Sequence, residues 1–135
     1  MSVNKVSYNV LKGFKDKKIH SLLLFNLDEL PKSFMSPFFL DFKFLKVMDF
    51  EEAPLDHIPK DVGSLFHLRY LSLRNTKVKK LPKSTGKLQN LETLDLKQTL
   101  VSELPIEINR LRKLRHLLAY YHDYGLDFSW LLKKG

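Results

Sequence analysis

Aliphatic side chains return to the same columns every 23 residues through the middle of this chain. Blocks 44–66, 67–89 and 90–112 align without a gap. Leu45, Leu68 and Leu91 share one column, Met48, Leu71 and Leu94 the next, and Phe50, Leu73 and Leu96 a third. Further along each block come Leu55, Val78 and Val101, then Ile58-Pro59, Leu81-Pro82 and Leu104-Pro105, and finally Leu65, Leu88 and Leu111. The opening of a block, such as Leu68-Arg69-Tyr70-Leu71-Ser72-Leu73-Arg74, ends in apolar/polar alternation, the mark of a strand with one buried face. Leu71 and Leu73 are expected to point inward, and Tyr70, Ser72 and Arg74 outward, because successive strand side chains face opposite sides.

The second half of each block has to bring the chain back to the start of the next strand. Proline after the Ile/Leu of the Ile58, Leu81 and Leu104 column fixes φ and has no N–H, so it ends any strand there. Val62-Gly63, Thr85-Gly86 and Ile108-Asn109 put a residue that tolerates positive φ into the return. Irregular or short 3₁₀ structure is expected there, with at most one helical turn. A period of this length carrying L-x-x-L-x-L predicts a leucine-rich-repeat solenoid. Its class is α/β, with a parallel sheet on the concave face and a mostly irregular or 3₁₀ convex side. Each coil buries its apolar face against the next, so about three coils are the minimum for stability.

The outward positions then form ladders: Val47, Tyr70, Thr93, His116; Asp49, Ser72, Asp95, Leu118; and Glu51, Arg74, Lys97, Tyr120, with Glu52, Asn75, Gln98 and Tyr121 alongside. Solenoids use such a sheet as an extended binding face. The candidate protein-binding residues are Asp49, Glu51, Tyr70, Ser72, Arg74, Thr93, Asp95, Lys97, His116 and Tyr120. Tyrosine and arginine together are typical of binding hot spots; the alternative is a solvated face that only keeps the chain soluble.

Both ends are irregular. Residues 1–17 read as a cap or tail. Residues 18–43 read as a first turn with a three-residue insertion, its strand marked by Ile19, Leu22 and Leu24. Phe34, Phe38, Phe39, Phe42 and Phe44 are expected to fill the core of that wider turn. Residues 44–112 are the three regular repeats. Residues 113–135 are a degenerate last repeat, in which Leu114 and Leu117 keep the pattern before Tyr120-Tyr121-His122-Asp123-Tyr124 replaces it. With Trp130, Leu131 and Leu132 near an uncapped end, the chain reads as a piece of a longer array.

The chain has 135 residues and a net charge of +8, unevenly placed. Residues 44–66 carry −3, residues 67–89 carry +7 and residues 90–112 carry −1. A nucleic-acid groove runs basic across several turns, so this banding argues for a charged protein partner instead. Without cysteine there is no disulfide framework and no thiolate metal site. The N-terminus has no apolar signal region, and no stretch approaches the roughly 20 apolar residues of a membrane span. With no N-x-[ST] acceptor either, the expected location is the cytoplasm. Ser84-Thr85-Gly86-Lys87 imitates a phosphate loop, but Leu81 and Leu88 stand where a glycine and a hydroxyl are required. The five histidines show no metal-ligand spacing; His116, His122 and Asp123 are read as a surface cluster. No cofactor and no enzymatic activity are expected.

The repeats resemble those of plant intracellular immune receptors of the coiled-coil, nucleotide-binding, leucine-rich-repeat class. The likeness lies in Lys18-Ile19-His20-Ser21-Leu22-Leu23-Leu24-Phe25, in Phe44-Leu45-Lys46-Val47-Met48-Asp49-Phe50, and in Leu65 to Leu73. It is most specific from Leu81-Pro82-Lys83-Ser84 through Lys87-Leu88-Gln89-Asn90-Leu91-Glu92-Thr93-Leu94-Asp95-Leu96, and it spans about residues 18–120. The resemblance implies a recognition and autoinhibition module. Its partners would be a pathogen effector, a guarded host protein or the receptor's own nucleotide-binding domain. The coiled-coil and nucleotide-binding regions of that class have no counterpart here, so nucleotide exchange is not assigned to this chain. Thr85 also departs from the apolar column of Val62 and Ile108; burying its hydroxyl unpartnered costs on the order of 1–3 kcal/mol. The second hypothesis is a stand-alone signalling scaffold similar to the Ras-linked leucine-rich-repeat proteins, and the third is nucleic-acid binding by the +7 repeat.

Overall fold

The computed structural model describes the backbone of residues 21–23, 43–121 and 124–125, and the side chains of residue 21 and residues 43–119. Five three-residue strands form one parallel sheet in chain order: β1 (Ser21–Leu23), β2 (Val47–Asp49), β3 (Tyr70–Ser72), β4 (Thr93–Asp95) and β5 (His116–Leu118). The register keeps the 23-residue columns: Val47 pairs with Tyr70, Tyr70 with Thr93, and Thr93 with His116. Ser21 pairs with Val47, so the first step is three residues longer, which is the insertion read from the sequence.

Each of the three described returns passes through a 3₁₀ turn, at Lys60–Ser64, Lys83–Lys87 and Ile106–Arg110. Pro59, Pro82 and Pro105 stand immediately before these turns in extended backbone with φ of −71°, −67° and −64°. That is the φ the pyrrolidine ring enforces, so the Ile/Leu-Pro pairs set where each turn begins. The N–H of Leu65, Leu88 and Leu111 then closes each turn onto the carbonyl of Val62, Thr85 and Ile108. Outside the strands the coils are also tied together, by Lys77 N–H to Leu55 C=O and Leu100 N–H to Val78 C=O, both at 3.0 Å.

Every repeated apolar column is buried, from Leu45, Leu68 and Leu91 through to Leu65, Leu88 and Leu111. Leu114, Leu117 and Ala119 extend this core and are only partly covered. At about 1.5–3 kcal/mol for each fully buried aliphatic side chain, the columns between coils dominate stability. Thr85 is buried in the apolar column and its Oγ1 has no hydrogen-bond partner, as expected from its position.

Two expectations are corrected. Gly63 and Gly86 do not have positive φ; among the described residues that conformation belongs to Glu52, Asn75 and Gln98, at φ 61°, 57° and 60°. The glycines are needed for close approach: a Cβ on Gly63 would lie 2.8 Å from the Ser84 carbonyl oxygen, and one on Gly86 2.6 Å from that of Glu107. Phe44 does not fill the core either. It is 46% exposed and its ring stacks on His67, with centroids 5.8 Å apart. Phe34, Phe38, Phe39, Phe42, the tail 1–17 and Trp130, Leu131 and Leu132 lie outside the described residues.

Candidate functional site

The outward face of the sheet is built by three adjacent columns with different duties. Val47, Tyr70 and Thr93 are half-buried neighbours across β2, β3 and β4, and His116 is exposed at β5. The next outward column, Asp49, Ser72 and Asp95, turns its oxygens back on its own chain. The N–H of Glu51 donates to Asp49 Oδ1 at 2.9 Å, that of Arg74 to Ser72 Oγ at 3.3 Å, and that of Lys97 to Asp95 Oδ1 at 3.0 Å. These are side-chain turns of the kind that short oxygen-bearing residues form two positions ahead of themselves.

Of the candidate contact residues, Ser72 and Asp95 are the most buried: only 1% and 4% of each is exposed. They face outward, as expected, but neighbouring coils and the turn they hold cover them. Their role is to fix the third column, Glu51, Arg74 and Lys97, all half-buried just past the strand ends. Glu52, Asn75 and Gln98 follow in the left-handed conformation, which L-residues other than glycine, asparagine and aspartate seldom adopt. Backbone bonds between coils hold them there, Glu52 N–H to Arg74 C=O and Asn75 N–H to Lys97 C=O, each 3.0 Å. Asn75 Nδ2 also donates to Glu52 Oε1 at 3.3 Å. The same kink thus recurs coil after coil and aims one long charged side chain from each.

Charge along this third column runs negative, positive, positive, through Glu51, Arg74 and Lys97. Arg74 Nε lies 3.6 Å from Glu51 Oε1, with both side chains about two-fifths exposed. A pair this exposed contributes little to stability, so its groups can be exchanged for a partner's at small cost. Tyr70 sits beside them. Burial raises its phenol above the ordinary value, and the Asp49 carboxylate raises it further.

Tyr120 does not continue the ladder in the sheet. It belongs to β6 (Tyr120–Tyr121), which pairs antiparallel with β7 (Tyr124–Gly125) as a separate hairpin. Leu118 stands in the column of Asp49, Ser72 and Asp95 and has no side-chain oxygen with which to hold the same turn. His122 and Asp123 lie outside the described residues. Among the described residues no three His, Cys, Asp or Glu side chains are grouped as a metal site requires, and no helix is long and apolar enough to cross a membrane.

Sequence reasoning missed two columns. Thr76 and Thr99 are buried and donate to the carbonyls of Leu73 and Leu96 at 2.7 and 2.8 Å, stitching the loop after each kink. Their signal was a small residue three positions past Phe50, Leu73 and Leu96 in the three regular repeats (Ala53, Thr76, Thr99). The other is Lys46, Arg69, Glu92 and Arg115, charged in every coil immediately before the strand.

Comparison with known proteins agrees with this architecture. A solved leucine-rich-repeat protein from Leptospira interrogans superimposes with a TM-score of 0.69 at 25% sequence identity, over 88% of this chain. The match spans about a third of that protein, 35% of its chain. No curated protein gives a significant match. The leucine-rich repeat region family matches residues 18–126. With most of its length inside that match, and its strands, returns and buried columns repeating in step, the chain belongs to the leucine-rich-repeat family.

Proposed function

We propose that this chain is a non-enzymatic protein-recognition module that binds through the sheet face, and that it serves as the recognition and autoinhibitory repeats of a plant cytoplasmic immune receptor. The observation that carries the binding reading is the column Glu51, Arg74 and Lys97. Three successive left-handed kinks and three side-chain turns hold these charged groups in line beside Tyr70. Arginine and tyrosine on a rigid scaffold supply directional, low-entropy contacts. The receptor reading is supported by the motif likeness from Leu81 to Leu96 and by the charge banding, which suits a protein of complementary charge.

The test is co-precipitation with the nucleotide-binding portion encoded in the same reading frame. Arg74→Glu combined with Lys97→Glu is expected to abolish the contact while leaving the circular dichroism spectrum and melting temperature nearly unchanged. Undiminished binding by the double variant removes the sheet-face reading. A genomic reading frame with no P-loop nucleotide-binding domain upstream removes the receptor reading and leaves a stand-alone scaffold.

A further inference from the structure

The charged column before the strands opens into a pocket of about 510 Å³, lined by Arg69, Asn90, Glu92, Arg112, Lys113, Leu114 and Arg115. Four cations face one carboxylate. Lys113 Nζ donates to Asn90 Oδ1 at 2.9 Å, and Asn90 Nδ2 is anchored on the Phe66 carbonyl at 2.7 Å. Arg69 reaches Glu92 only at 4.0 Å, with both side chains well exposed, which is a weak pairing. Among the described residues Arg112 and Arg115 have neither an ion pair nor a side-chain hydrogen bond. Several backbone N–H groups at the pocket are already used: Glu92 donates to Arg69 C=O and Arg115 to Glu92 C=O. Three of its four cationic side chains are guanidinium groups, suited to two-oxygen anions.

We propose that this pocket binds an extended acidic segment of a protein partner, through at least two of its carboxylates. Arg69 and Arg115 lie two coils apart, about 10 Å at the spacing of neighbouring strands, close to three residues of extended chain. Two carboxylates at that separation straddle Glu92, one taken by Arg69 and the other by Arg112 and Arg115. Glu92 selects against a continuous phosphate backbone, because its own charge sits in the middle of the cationic row.

The probe is a blocked, fluorescein-labelled hexaglutamate peptide, titrated with the full chain by anisotropy at about 0.15 M salt. Hexaglutamine and a six-nucleotide oligothymidylate serve as controls. The expected result is saturable binding of hexaglutamate alone. Arg112→Gln with Arg115→Gln weakens it by about tenfold or more, the scale of two exposed charge contacts. Glu92→Gln tightens it roughly threefold, a gain that misfolding cannot produce. Lys79→Gln with Lys80→Gln removes the same charge from exposed positions outside the pocket and leaves binding within about twofold. The proposal is overturned if hexaglutamate does not bind, if the pocket variants change nothing, if the Lys79/Lys80 variant loses as much, or if oligothymidylate binds as tightly. The pocket shares no residue with the Glu51, Arg74 and Lys97 column, so Arg74→Glu with Lys97→Glu leaves this titration readable and the two readings fail separately.

Discussion

Gly86→Ala tests whether close approach of the return turns, and not backbone freedom, is what demands glycine. A Cβ at residue 86 would lie 2.6 Å from the Glu107 carbonyl oxygen, 2.8 Å from Glu107 Cβ and 3.0 Å from its carbonyl carbon. The first distance is roughly 0.9 Å short of ordinary contact, and the obstructing atoms are mostly backbone, which cannot swing aside. Separating the Lys83–Lys87 and Ile106–Arg110 turns disturbs the packing of Leu88 and Leu111 beneath them, an overpacking cost of about 1–3 kcal/mol. Alanine returns about 0.4–1 kcal/mol by stiffening the unfolded chain, because residue 86 does not have positive φ. The net loss is then about 1–2 kcal/mol, a fall of roughly 4–8 °C in melting temperature for a chain of this size. Thermal unfolding followed by circular dichroism reads it. Gly63→Ala, whose nearest conflict is 2.8 Å with the Ser84 carbonyl oxygen, is expected to lose somewhat less. Gly86→Asn separates the two explanations: asparagine tolerates a left-handed backbone but is larger, so close approach makes it worse than alanine. A Gly86→Asn chain more stable than Gly86→Ala, or a Gly86→Ala chain that melts no lower than the parent, refutes the reasoning.

The same substitution should have opposite signs at two buried threonines. Thr85→Val removes a hydroxyl that has no partner and is expected to stabilise by about 1 kcal/mol, whereas Thr99→Val loses the bond to the Leu96 carbonyl and destabilises by about the same amount. Urea midpoints that move in the same direction for both would contradict this. For Tyr70, the folded chain holds the phenolic proton more tightly than the unfolded chain does. Its contribution to stability is therefore full below about pH 10 and lost as pH rises through the raised native value. The ultraviolet tyrosinate signal assigned by difference from Tyr70→Phe should appear above pH 10, and Asp49→Asn should bring it down; an unshifted titration would show that Asp49 does not act on the phenol.

The coil length, the strand register, the buried columns and even the three-residue insertion in the first turn were legible in the sequence, because each depends on which residues recur and at what spacing. Thr85 was legible for the same reason: it breaks a column. What escaped was the use made of a column that is polar throughout. Asp49, Ser72 and Asp95 alternate outward as a strand requires, and nothing in the alternation says that their oxygens fold back onto the chain two residues on. Glycine has two physical reasons to recur, and the sequence does not choose between them. The structure assigns Gly63 and Gly86 to proximity and gives left-handed backbone to Glu52, Asn75 and Gln98, which carry no local signature except their shared position. Phe44 was misplaced because an aromatic cluster reads as core, although its column continues as His67, Asn90 and Lys113, all polar.

That division of labour explains how one repeat can be both rigid and changeable. The leucine columns, the prolines before the returns, the close-packed glycines and the inward threonine hydroxyls interact along the stack or within their own coil, and a change in any of them is felt as stability. The side chains of Glu51, Arg74 and Lys97 have no such duty. Their backbone is held from below by an aspartate or serine and from beyond by a left-handed neighbour. The charges at their ends can therefore be rewritten at little cost to the core. The change from Glu51 to Arg74 and Lys97 along the three coils is what such freedom permits: each coil keeps the same frame whichever charge it carries. A partner that reads the face reads charge in steps of one strand spacing, about 4.8 Å. Exchanging the charges of Glu51 and Arg74 keeps the total and the pairing but reverses the order. A partner that depends on that order is lost by the exchange, whereas one held by net charge alone is not.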